Sequence, residues 1–162
     1  MNPSQLRVSK SSDCYETDFY AWTVEQAKFL RDGAWDCLDV PNLAEEIESL
    51  GKQERRELRN RLRVLIGHLL KWEYQSGKRS RSWSNTISEQ RYQIKELIAD
   101  SPSLKPYLSN AAIEIYSAAL DLAVRETSLD ASCFPQECSY NLEQILEKDF
   151  FPGEPIASDL GD

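Results

Sequence analysis

Five polar side chains fall on faces that helical spacing makes apolar: Gln26, His68, Gln90, Arg91 and Glu126. Three of them have the types that acid–base chemistry needs. His68 is the only histidine of the 162 residues, and histidine is the side chain that titrates near neutrality without perturbation. Glu126 returns, at ~100° per residue, to the centre of the apolar face that Leu108 begins. A carboxylate there needs a partner or takes up a proton. Glu126 or His68 would then be the general acid or base, and Arg91, Arg79 and Lys71 would neutralise an anionic substrate or transition state. The same residues have a plainer reading, a structural network in which Arg91 pairs with Glu126 and fixes helix register. Convergence of His68, Arg91 and Glu126 on an open cleft would favour catalysis, and a dry, fully paired cluster would favour structure.

A second constellation is basic. Lys52, Arg55, Arg56, Arg59 and Arg63 form a stripe on one helix, and Lys78, Arg79 and Arg81 sit in a short loop beside Trp83. Three cations next to an aromatic can hold a phosphate or carboxylate, or stack on a base. A solvated loop over a buried tryptophan is the plain alternative. The formal net charge is −8, yet residues 52–95 hold 12 Lys/Arg against 4 Asp/Glu, while residues 1–51 hold 4 against 10 and residues 96–162 hold 3 against 13. Acidic and basic elements can neutralise one another within the fold, or the basic part can meet an anion. The acidic total and the lack of a helix-turn-helix or other reading motif argue against duplex binding.

Metal and cofactor chemistry find little support. The four cysteines, Cys14, Cys37, Cys133 and Cys138, form no CxxC pair, and the Glu-x-x-His pattern of di-iron bundles is missing. Glu46 shares a helix side with His68 but lies 22 residues away, about 33 Å along a straight helix. The expectation is no metal and no cofactor. No apolar run reaches the roughly 18 residues of a membrane span, and the polar start Met1–Ser12 lacks a signal region. A cytoplasmic protein with reduced thiols follows.

These residues need helices to position them. With Leu58 at zero, Leu43, Ile47, Leu50, Leu58, Leu62, Leu65, Leu69 and Trp72 keep one phase, across Gly51. From Leu62 to Trp72 the segment is apolar almost all round, which predicts a central helix sheathed by others. His68 falls between Leu65 and Val64 in angle and is partly buried. A first helix is expected from after Thr17 to about Asp32, closed by Gly33, and Asp39 or Asn42 is placed to cap the long helix, with Pro41 in its first turn. Ser76-Gly77 ends that helix. Others are expected at Ser84–Asp100, with Thr86 and Glu89 as a capping box, from Ser103 to about Ser128 along Leu104, Leu108, Ala111, Ile115, Ala119 and Leu122, and at Leu142–Lys148, capped by Asn141 and Gln144. Residues 1–12 read as a disordered tail, 13–153 as a single helical domain and 154–162 as an acidic tail. The fold class is all-α, a single-domain bundle of five or six helices around a long central one.

The blocks YETDFYAW, QAKFLRDG, NLAEEIESLG, HLLKWEYQ, RSWSNTISEQR, DSPSLKPYL, AVRETSL, CFP and EQILEKDFFP, in that order, resemble the bacterial domain of unknown function family 29, which is abundant in cyanobacteria. The resemblance runs from Tyr15 to about Pro152. It implies an all-helical, bacterial, cytosolic protein and no particular activity, so no catalytic residue is carried over.

Two function classes remain. One is a binding or interaction protein that meets an acidic protein or an anionic ligand through Arg55, Arg56, Arg59, Arg79, Arg81 and Trp83. The other is an enzyme of unknown reaction, with a polar pocket between helices that holds His68, Lys71, Arg91 and Glu126. Nucleic-acid binding by the basic stripe is a further alternative.

Overall fold

The computed structural model of the chain describes residues 14–154. The tails expected at 1–12 and 154–162 lie outside the described residues, apart from Glu154. Among the described residues there are helices and no strand: α1 Phe19–Asp32, α2 Val40–Tyr74, α3 Arg81–Asp100, α4 Leu108–Thr127 and α5 Leu142–Leu146, with a helical stretch at 14–17 before α1. Short 3-10 turns occupy Trp35–Cys37, Ser76–Lys78, Pro102–Tyr107 and Ala131–Cys133. The chain divides into two compact units, one ending at Gln53 and one beginning at Glu54.

The first unit is α1, its connector and the start of α2. Asp18 caps α1 by accepting from the Ala21 N–H, and Gly33 closes it at φ 67, the left-handed conformation that glycine adopts without a Cβ penalty. Asp39, immediately before α2, is buried. It has acceptors to offer and donors to meet. The Trp22 indole N–H donates to Asp39 Oδ2 at 3.3 Å, Asn42 Nδ2 donates to the same oxygen at 2.8 Å, and the Asp39 N–H donates to Gln26 Oε1 at 2.8 Å. The expected inward Gln26 is thus one half of the lock between α1 and the start of α2. Pro41 sits in the first turn of α2, where no intrahelical N–H partner exists to be lost.

The second unit holds the core. Leu58, Leu62, Leu65, Ile66, Leu69 and Leu70 of α2 are fully buried, and each such side chain contributes about 2 kcal/mol. The all-round apolar stretch Leu62–Trp72 is enclosed as its composition predicts. The apolar line does not stay buried along the whole helix, however. Ile47 and Leu50, in phase with Leu58, are 67% and 61% exposed.

Ile87 and Ile94 of α3, and Leu108, Ala111, Ile115 and Ala119 of α4, complete the cluster. The stretch after Ser101 starts as the 3-10 segment Pro102–Tyr107, with Pro106 inside it, and becomes α-helical only at Leu108. The expected capping box at Thr86 and Glu89 does not form. Ser80 caps α3 by accepting from the Trp83 N–H, one turn earlier than the hydrophobic pattern suggested, and Thr86 donates within the helix to the Ser82 carbonyl. The box at Asn141 and Gln144 does form, with both bonds present.

Gly67 sets the approach of α2 to α4. A Cβ there would lie 2.7 Å from Leu122 Cδ2 and 3.1 Å from the Ala119 carbonyl oxygen. The leucine tip can swing away, but the backbone oxygen cannot. Gly67→Val is therefore expected to destabilise the chain by about 2–3 kcal/mol through overpacking, read as a lower denaturant midpoint with an unchanged slope.

Candidate functional site

Lys71 stands in the enclosed part of α2 and is 3% exposed. An ammonium has three N–H donors, and burial makes each unpaired one expensive. Three partners meet them. Glu126 of α4 accepts at 2.5 Å, His68 Nε2, one turn back on α2, lies at 3.4 Å, and the Trp83 ring of α3 presents its face 4.3 Å from Nζ. The contact with the ring is a cation–π interaction. His68 Nδ1 is 3.0 Å from the Val64 carbonyl. That oxygen can only accept, so Nδ1 carries the proton and the Nε2 lone pair faces the lysine. Burial first, and then the Lys71 charge, hold the His68 pKa below its ordinary value. The imidazole is neutral at pH 7.

Glu126 corrects the expectation of a buried carboxylate. Its side chain is 47% exposed, because it leans from the apolar face of α4 to the rim. Burial pushes its carboxyl up, but the hydrogen bond and charge of Lys71 outweigh that and leave it below the usual range.

Arg91 does not pair with Glu126, and it does not join His68. It is buried on α3 and spends its fork on main-chain oxygens beyond α3. Nε donates to Ile145 O at 2.9 Å, one terminal nitrogen to Lys148 O at 3.1 Å, and the other to Phe150 O at 2.7 Å. Its guanidinium also lies over the Phe151 ring, 5.5 Å from the centroid. The structure thus brings His68, Lys71 and Glu126 together and sets Arg91 elsewhere as a clamp on the segment from α5 to Phe150.

The expected basic surface is also partly spent. Arg79 turns inward: Nε donates to Trp72 O at 2.9 Å, NH1 to Glu154 O at 2.9 Å, NH2 to Pro152 O at 3.4 Å, and the guanidinium lies over the Trp72 ring. Gly153, at φ 85, leaves room for it. Arg55 lies over the Tyr107 ring, Tyr107 donates to Glu114, and Glu114 is 3.9 Å from Arg59. Trp83 is half-buried under Lys71. Arg56 and Arg81 remain exposed.

A cleft of about 600 Å³ lies among α3, the 3-10 segment, the start of α4 and the end of α5. Ile94, Ile98, Leu108 and Leu146 give it apolar walls, Tyr92 flanks it, and, among the described residues, Arg91, Lys95, Lys105 and Lys148 bring four cations against the one carboxylate of Glu147. Sequence reasoning missed it, because its lining comes from four separate segments and no spacing unites them. Lys71 did carry a signal: a lysine inside an all-round apolar stretch has to be buried and partnered.

Among the described residues no cluster of His, Cys, Asp and Glu is arranged for a metal ion, and no helix is long and apolar enough to cross a membrane. The chain is an all-α protein whose inward polar groups are largely satisfied by its own atoms. A family model for the domain of unknown function DUF29 matches residues 14–151, and the chain belongs to that family. No curated protein and no solved structure matches it.

Two outcomes follow. Arg91→Lys is expected to lose about 2–3 kcal/mol of stability, because one ammonium cannot span three carbonyls; a melt as stable as wild type would contradict the clamp. For His68, the folded state favours the neutral ring more than the unfolded chain does. Its contribution is complete above about pH 6.5 and is lost as the pH falls through the lower folded value. His68→Gln should flatten the pH dependence of stability just below 6.5. The further loss in the carboxylate range, from Glu126, should remain.

Proposed function

We propose that this chain is a binding protein, and that the cleft among α3, α4 and α5 takes a ligand with an apolar body and an anionic head. The observation that carries the reading is the pairing of apolar walls with Lys95, Lys105 and Lys148 at the rim, around a volume that suits a small molecule. The walls supply affinity by burial and the lysines select the sign of the head group. An enzyme reading loses its main support once Lys71 has a partner for each N–H and Arg91 serves the backbone. The free state of all four cysteines agrees with a cytoplasmic, reducing location.

The test is titration with dodecyl phosphate, dodecanoate and dodecyltrimethylammonium, followed by calorimetry. The two anionic amphiphiles should bind and the cationic one should not. Reversal of Lys95, Lys105 and Lys148 to Glu should weaken the anionic ligands by roughly tenfold or more while leaving the melting temperature near wild type. Equal binding of both signs, or no effect of the reversal, would discard the assignment.

A further inference from the structure

We infer that Arg91 couples the ligand cleft to the loop that forms one of its walls, so that a bound ligand and the fastening of residues 146–149 stabilise each other; the coupling rests on the ligand reading of the cleft given above. Two walls meet at this cleft. Ser88, Arg91, Tyr92 and Lys95 of α3, spaced i, i+3, i+4 and i+7, present one helix face to it. Leu146, Glu147 and Lys148, at the end of α5 and in the loop that follows, supply the other side.

The loop side is pegged at both ends and lightly built between them. Ile145 is buried, and Phe150 packs on the core with its ring edge-on to Tyr140, centroids 5.7 Å apart. Between these pegs Glu147, Lys148 and Asp149 are exposed. The Glu147 N–H donates to Glu143 O at 2.9 Å and the Phe150 N–H to Glu147 O at 3.2 Å, bonds that shape the turn but do not cross to α3. The Lys148 ammonium turns to Asp149, 3.6 Å away. The tie to α3 is the Arg91 fork. Nη1 donates to Lys148 O at 3.1 Å, in the middle of the exposed stretch, while Nε and Nη2 hold Ile145 O and Phe150 O at the pegs. A guanidinium is planar, with donors fixed relative to one another. The fork therefore sets where the loop stands relative to α3, and with it the width of the cleft.

Linkage supplies the rest. An exposed stretch with few buried contacts is where local opening costs least. A ligand that touches both walls makes all its contacts only while the loop is in place, so its apparent affinity falls with the fraction of molecules in which the loop has shifted. The effect is reciprocal: a ligand whose affinity depends on the loop must hold the loop in return. Arg91 is thus a positioning residue for the cleft, acting through the wall it fastens.

The test is calorimetric titration of the full chain with dodecyl phosphate, first as wild type and then as Arg91→Lys and Arg79→Lys, at a temperature where circular dichroism shows all three folded. Arg91→Lys keeps the positive charge and removes only the fork. It should weaken binding roughly tenfold. Arg79→Lys removes the other fork, which holds Pro152 O and Glu154 O and does not line the cleft. It should bind within about twofold of wild type. Amide hydrogen exchange gives the reciprocal readout. Saturating dodecyl phosphate should slow exchange of the Glu147 and Phe150 amides in the wild type more than that of the Ser128 amide, which closes α4, and Arg91→Lys should speed it. Wild-type affinity in Arg91→Lys would overturn the coupling, and equal weakening in Arg79→Lys would replace it with a general loss of rigidity. Weaker binding with unchanged exchange at Glu147 and Phe150 would assign Arg91 to direct contact with the head group and overturn it too. The wild-type exchange decides the matter even where Arg91→Lys does not fold: no slowing by the ligand overturns the coupling. A wild type that does not bind dodecyl phosphate defeats the cleft reading itself, and the coupling with it, before any variant is compared.

Discussion

An ammonium group enclosed by hydrocarbon sets the terms for the second unit. Lys71 sits where α2 is surrounded, and its three protons must each find an acceptor from a different direction. Glu126 fixes α4, Trp83 fixes α3, and the Val64 carbonyl fixes the His68 tautomer that leaves a lone pair on Nε2. Replacing any of these with a residue of the wrong polarity leaves a buried charge in want of a partner, which costs far more than the contact itself contributes. The network gives little net stability against an apolar alternative. Its effect is to make one arrangement of three helices much better than the others.

The two guanidinium groups follow a related logic with different partners. Arg91 and Arg79 each reach across to main-chain oxygens of the segment that follows α5, and Arg91 also to Ile145 O within α5. That segment has little regular structure of its own, so its carbonyls have few internal donors. A planar fork with several N–H groups satisfies two or three of them at once. Aromatic rings beneath each fork, Phe151 and Trp72, cover the flat face of the cation.

The fold was legible where hydrophobic period and composition agree. Leu62–Trp72 announces its enclosure, the phase of Leu108, Ala111, Ile115 and Ala119 gives the buried side of α4, and the Asn141–Gln144 spacing gives the start of α5. The first turn of α3 was not legible, because Ser80 lies among other serines and its capping bond depends on the local backbone. Ile47 and Leu50 show the reverse failure. Their phase marks an apolar side correctly but does not say that another helix covers it. The site was read less well. Angle alone placed Glu126 at the centre of an apolar face, yet the length of its side chain lets the carboxylate reach the surface. Arg91 was correctly turned inward, but an arginine that binds carbonyls has no sequence signature, since every residue supplies a carbonyl.

That last property bears on how the chain can change over time. The Arg91 fork recognises oxygens that residues 145, 148 and 150 would supply whatever their side chains were. Substitutions at Lys148 therefore leave the fastening intact, and drift in that strip is free to retune the neighbouring lysine-lined surface. The hydrogen-bonding restriction falls on one position on α3, while Ile145 and Phe150 stay restrained by their packing in the core.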